Sequence, residues 1–158
     1  MAKKVKSIGA QVHVMHLRWP NFEVYKRTAD KVVWVGDLVG IERAYTLWIE
    51  YGLPRNPPSD PMFRRFPLVR VVSPRLELQW DAPEEAPLPH VYFSEPDIRL
   101  SPLCLFDPAA GEWDHSDTIA LTTSPWAADW LACYEIWLAT GRWQGGGRHA
   151  EDPEEKAV

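Results

Sequence analysis

The strongest constraint on this chain is how little sequence separates its strand-like runs. "KVVWVGDL" at 31–38, "RAYTLWIEY" at 43–51 and "PLVRVV" at 67–72 are β-branched and aromatic, as half-buried strands are. In the second run Tyr45, Leu47, Ile49 and Tyr51 fall on one face. Only turn-rich pieces such as "GDLVG" and "GLPRNPPSDP" divide the runs. Parallel neighbours need crossovers of about a dozen residues or more, so antiparallel pairing is expected. Val12 with Val14, and Phe22 with Val24, extend the alternation upstream, and "RLELQW" extends it downstream, with Leu76, Leu78 and Trp80 on one face. A meander of four to five strands follows, beginning at its first strands without a long leading helix.

The second half changes period. In "TTSPWAADWLACYEIWLATGRW" the residues Trp126, Trp130, Trp137 and either Cys133 or Tyr134 recur at spacings of three and four. Ser124 fits an N-cap, Pro125 the first helical position, and Gly141 a left-handed residue just past the end. The fold class expected is therefore α+β, an antiparallel meander packed against a C-terminal helix. No linker or repeat divides the chain, so residues 1–149 are expected to form one domain, with 150–158 an acidic, mobile tail.

Charge and composition narrow the function. The net charge of −5 argues against a nucleic-acid surface. No run approaches the roughly 18 apolar residues of a membrane span, and "MAKKVKS" has no apolar stretch after it, so a cytoplasmic protein is expected. Two cysteines are too few for a disulfide framework and lack the short pairing of a zinc site. No cofactor motif is present: the glycines of "GRWQGGGRH" follow no strand and precede no helix.

The two thiols differ in setting. Cys133 sits inside the expected helix, where packing explains it. Cys104, in "LSPLCLFDPAAGEWDHSDTIA", lies in an irregular segment between Pro102 and Asp107-Pro108, and such segments carry function more often than cores do. A thiol acts as a nucleophile in its thiolate form, which basic neighbours favour. His115 and His90 are the nearest histidines in sequence, and Asp107, Asp114 and Asp117 are carboxylates suited to taking a proton from an attacking amine. Each acid has a plain alternative as a loop contact or helix cap.

These residues resemble a known family. "LCLFDPAAGEW" is similar to the active-site segment of ubiquitin-conjugating enzymes: an apolar residue, the catalytic Cys, Leu, and a Trp further on, here Leu103, Cys104, Leu105 and Trp113. Trp34 with Gly36, then Tyr45, follow the upstream order of that fold. The resemblance is closer to its prokaryotic members, which accompany cGAS-like nucleotidyltransferases in bacterial cyclic-oligonucleotide (CBASS) anti-phage defence operons. Pro125-Trp126, Trp130-Leu131, Tyr134-Glu135, Trp137, Thr140-Gly141 and Trp143 carry it, with "LPHVYF" before the thiol, and it covers about residues 10–149. The eukaryotic His-Pro-Asn tripeptide is absent, so an oxyanion would take its donors elsewhere, such as loop N–H groups.

The resemblance implies acyl transfer through a thioester. Cys104 would accept the C-terminal carboxyl of a cGAS-like nucleotidyltransferase and pass it to an amine, such as a lysine on an acceptor protein. It makes His115, Asp114 and Asp107 candidates for orienting or deprotonating that amine, and His90 a candidate for holding the loop or ionising the thiol. Two other readings stay open. One is a catalytically inactive adaptor that binds the nucleotidyltransferase non-covalently; the other is a thiol hydrolase using Cys104 with His115 or His90.

Overall fold

The computed structural model describes residues 3–94 and 97–145, so the expected tail at 150–158 lies outside the described residues. The element order is α1 (Ile8–Arg18), β1 (Glu23–Arg27), β2 (Lys31–Val39), β3 (Ala44–Gly52), α2 (Met62–Arg65), β4 (Leu68–Ser73) and α3 (Thr123–Thr140). The four strands form one antiparallel sheet in the order β1-β2-β3-β4. This is the α+β meander with a C-terminal helix that the spacing predicts.

The sheet's inner face is built from cross-strand pairs: Val32 opposite Tyr51, Trp34 opposite Ile49, Gly36 opposite Leu47 and Leu38 opposite Tyr45. All are buried. A Cβ on Gly36 would stand 2.6 Å from the Phe22 ring, so glycine there lets the incoming chain cross the sheet. Helix α3 covers this face with Trp130, Leu131, Tyr134 and Trp137, and Tyr45 meets Tyr134 edge to face with ring centroids 6.2 Å apart. Glu135, on the same helix, accepts hydrogen bonds from the backbone N–H groups of Ile41, Glu42 and Arg43, and so holds the β2–β3 turn. Gly141 ends the helix in the left-handed conformation, φ 74°, as expected.

Three local expectations are corrected. The strand anticipated at Val12 and Val14 is the helix α1. Ser7 caps it by accepting from the Ala10 N–H at 3.0 Å, and its buried face is Ile8, Gln11 and Met15. A leading helix is therefore present. Its polar core residue, Gln11, hid the helical period by looking like a solvent position. The Gln11 amide donates to the Asp117 carbonyl at 2.9 Å and accepts from the Ile119 N–H at 3.0 Å, which fastens α1 to the segment before α3.

"RLELQW" is no strand. The Glu77 N–H is taken by the Tyr134 hydroxyl at 2.6 Å, and the Gln79 side chain donates to the Leu138 carbonyl at 3.1 Å. The segment spends these groups on α3 rather than on a neighbouring strand. Leu76 is buried, yet Trp80 is 67% exposed, so the three apolar residues share no face. Nor is Ser124 the N-cap: α3 starts at Thr123, and Ser124 is buried with its hydroxyl donating to Met15 Sδ at 3.7 Å. Pro125 still falls in the first turn, where no N–H is needed.

Replacing Gln11 with Leu removes one partner from each of two backbone groups at a fully buried position. A loss of roughly 2–3 kcal/mol is expected, seen as a lower urea midpoint at unchanged slope.

Candidate functional site

Beyond β4 the sheet is continued by single bridges rather than by a strand. Arg70 pairs with Pro102 and Val91 with Leu103, both antiparallel. The Leu103 N–H donates to the Val69 carbonyl at 2.8 Å, the Tyr92 N–H to the Pro102 carbonyl at 2.8 Å, and the Cys104 N–H to the His90 carbonyl at 2.9 Å. The thiol's backbone is thus gripped from both sides inside an otherwise irregular stretch. Extended chain alternates its side chains, so Leu103 goes into the core while Cys104 turns toward a pocket.

His90 is the joint of this arrangement. Its carbonyl accepts both from Cys104 and from the Trp130 indole N–H at 3.0 Å, tying the thiol segment to α3. Its backbone is left-handed, φ 45°, a conformation that costs free energy in a non-glycine residue and is held by its surroundings. The buried ring lies 4.8 Å from the Trp143 ring, and Nε2 is 3.9 Å from a Glu85 carboxylate oxygen.

The pocket holds about 190 Å³ and is walled by Trp126, Trp130 and Trp143. Cys104 lines it, and so do Cys133 and Asp129 from α3. Cys104 is 9% exposed, and its sulfur is 3.6 Å from the Phe106 carbonyl oxygen and 3.8 Å from the Tyr92 hydroxyl. Burial, and then the charge of Asp129, push the Cys133 thiol up, which keeps it protonated and a weak nucleophile. Asp129 itself is exposed at the surface.

The remaining acids and His115 do not line the pocket. Asp107 is buried and caps the short helical turn Pro108–Ala110, accepting from the Ala109 N–H at 2.9 Å. Asp114 accepts from the Ser116 N–H at 2.8 Å and from its hydroxyl, and pairs with Lys3 at 3.3 Å. Asp117 accepts from the Asp114 N–H at 2.8 Å and closes the same turn. His115 lies against Tyr51 and Trp113, with Nδ1 2.7 Å from the Tyr51 hydroxyl. Burial holds the Tyr51 phenol well above its usual range, so it keeps its proton beside the ring.

So Cys104 and His90 are brought together, the latter through its carbonyl, while Asp114 and His115 brace a separate turn. Sequence reasoning missed Asp129 at the pocket, although a signal for it exists. Asp129 shares a helical face with Trp126, Trp130 and Cys133, at spacings of three and four, and a carboxylate amid that apolar stripe marks where the stripe meets an opening. Among the described residues no group of three or more His, Cys, Asp or Glu is gathered for a metal, and no helix is long and apolar enough to cross a membrane.

Burial lowers the His115 pKa below 6.5, against the opposing pull of Asp114 and Asp60. The unfolded chain therefore binds more protons as pH falls through about 6.5, and folding stability is lost on acidification. Asp30, Asp97 and Asp114 are held below 3.8, first of all by hydrogen bonds from Thr28, Arg99 and Ser116, and titrate under that window. Between about pH 7.5 and 5 the wild-type melting temperature should fall more steeply than that of His115→Gln. Parallel curves would show that the ring titrates alike in both states.

No curated protein matches this sequence. The family model described as type II CBASS E2 protein matches residues 11–150, from within α1 to beyond α3. The match spans the thiol, its pocket and the helix that walls it, and the chain belongs to the type II CBASS E2 protein family.

Proposed function

We propose that this protein carries an acyl group as a thioester on Cys104. The donor is the C-terminal carboxyl of the cGAS-like nucleotidyltransferase of its operon, arriving already activated. The acceptor is an amine, such as a lysine of a target protein. The observation that carries the reading is that Cys104, held by backbone pairing on both sides, lines an open pocket in a CBASS E2 chain.

The steps balance with the residues at hand. The Cys104 thiolate attacks the activated carbonyl, a C–S bond forms, and the donor's leaving group departs. A neutral amine then attacks the thioester carbon, a C–N bond forms, and the C–S bond breaks with the electron pair returning to sulfur. The amine's proton passes to the Asp129 carboxylate, the acid that lines the same pocket. Asp107, Asp114 and His115 act at one remove in this reading, by bracing the turns that follow the thiol. His90 holds the loop by its carbonyl.

The test mixes the protein with the operon's nucleotidyltransferase and its other operon proteins, then compares gels with and without reductant. A mass shift that reductant removes is expected. Cys104→Ser should abolish the shift or make it resistant to reductant, and Cys133→Ser should leave it intact. A complex that forms without any covalent shift would instead make the protein an adaptor.

A further inference from the structure

The mechanism so far leaves unused a hydroxyl within reach of the sulfur. The Tyr92 oxygen lies 3.8 Å from Cys104 Sγ. The two backbones are locked together through the Tyr92 N–H on Pro102 and the Val91–Leu103 bridge, so that approach is set by the ladder rather than by a loop. Burial, followed by the nearby sulfur and Asp107, pushes the Tyr92 phenol well above its usual range, with Arg65 opposing. Tyr92 therefore keeps its proton.

The protonation state of the sulfur decides what the phenol does. A protonated sulfur donates, and both the Phe106 carbonyl and the Tyr92 oxygen accept. A thiolate only accepts. The Phe106 carbonyl cannot donate to it, whereas the phenol O–H turns about its C–O bond to do so, and donors to charged groups form the stronger class of hydrogen bond. We infer that Tyr92 is a catalytic residue, its hydroxyl donating a hydrogen bond to the Cys104 thiolate both before acyl capture and when the amine displaces the sulfur. The role in acyl transfer rests on the carrier reading above, but the bond itself is testable without it. Among the described residues, the other ionisable groups near the pair include Asp129 and Cys133 on α3, Asp107 on the following turn, Arg65 at the end of α2 and His90 just before the Val91 bridge.

The experiment follows iodoacetamide alkylation of Cys104 by mass spectrometry against pH, in the full chain carrying Cys133→Ser. Tyr92→Phe should move the midpoint of the alkylation curve up by about one pH unit. An unmoved midpoint in a Tyr92→Phe protein that melts cooperatively overturns the inference. If that variant does not fold, meta-fluorotyrosine placed at position 92 decides. Its more acidic phenol donates more strongly and should move the midpoint down, and no movement overturns the inference. A shifted midpoint in a protein that never forms the reductant-sensitive adduct would sink the carrier reading alone.

Discussion

One carbonyl oxygen joins the parts of this molecule that matter for chemistry. His90 O accepts from the Cys104 N–H and from the Trp130 indole, so the thiol segment, the sheet edge and α3 share a single acceptor. A carbonyl has two lone pairs and serves two donors without loss. The cost is the left-handed backbone at His90, which is offset by burial of its ring against Trp143. Without this joint, the thiol segment would keep its pairing to Val69 and Tyr92 but lose its tie to α3.

The high tryptophan content has the same logic. Indole N–H groups staple irregular segments to the helices: Trp19 donates to Ala120 O at 2.8 Å, Trp137 to Glu84 O at 2.9 Å and Trp113 to Thr122 Oγ1 at 3.1 Å. Each ring adds a large apolar area while its one donor satisfies a backbone or hydroxyl group that has no strand partner. Trp143 departs from the pattern, its Nε1 being buried beside Gly145 without a hydrogen-bond partner among the described residues. A chain with four short strands and a long irregular middle thus gets from side chains the satisfaction that a wider sheet would supply from backbone.

The sheet was legible because β3 alternates cleanly, so Tyr45, Leu47, Ile49 and Tyr51 could be assigned one face from sequence alone. The end of α3 was legible because Gly141 is the one residue type at ease there. What failed to show were positions where a polar group is used internally. Gln11 is a core residue by its two backbone bonds and broke the apolar period that would have announced α1, while Ser124, buried on Met15, passed for a cap. At the site, Cys104 stood out through the irregular segment around it, but Asp129 and Tyr92 are neighbours only in space. Tyr92 lies twelve residues away, and it meets the sulfur because two bridges, not a turn, set the register.

The two thiols meet at one pocket. Both line it, with different nearest neighbours. Cys133 faces burial and the Asp129 carboxylate, both of which oppose a thiolate. Cys104 faces a phenol that stays protonated and can only help one. In the carrier reading proposed above, Asp129 has a second consequence for an incoming lysine. Its negative charge at the pocket mouth favours the ammonium form on approach, while attack on a thioester needs the neutral amine, so the group that attracts the substrate is also the one suited to relieve it of its proton. A carboxylate that discourages one sulfur from ionising and prepares the amine for the other makes a single chemical direction out of a pocket with two nucleophiles.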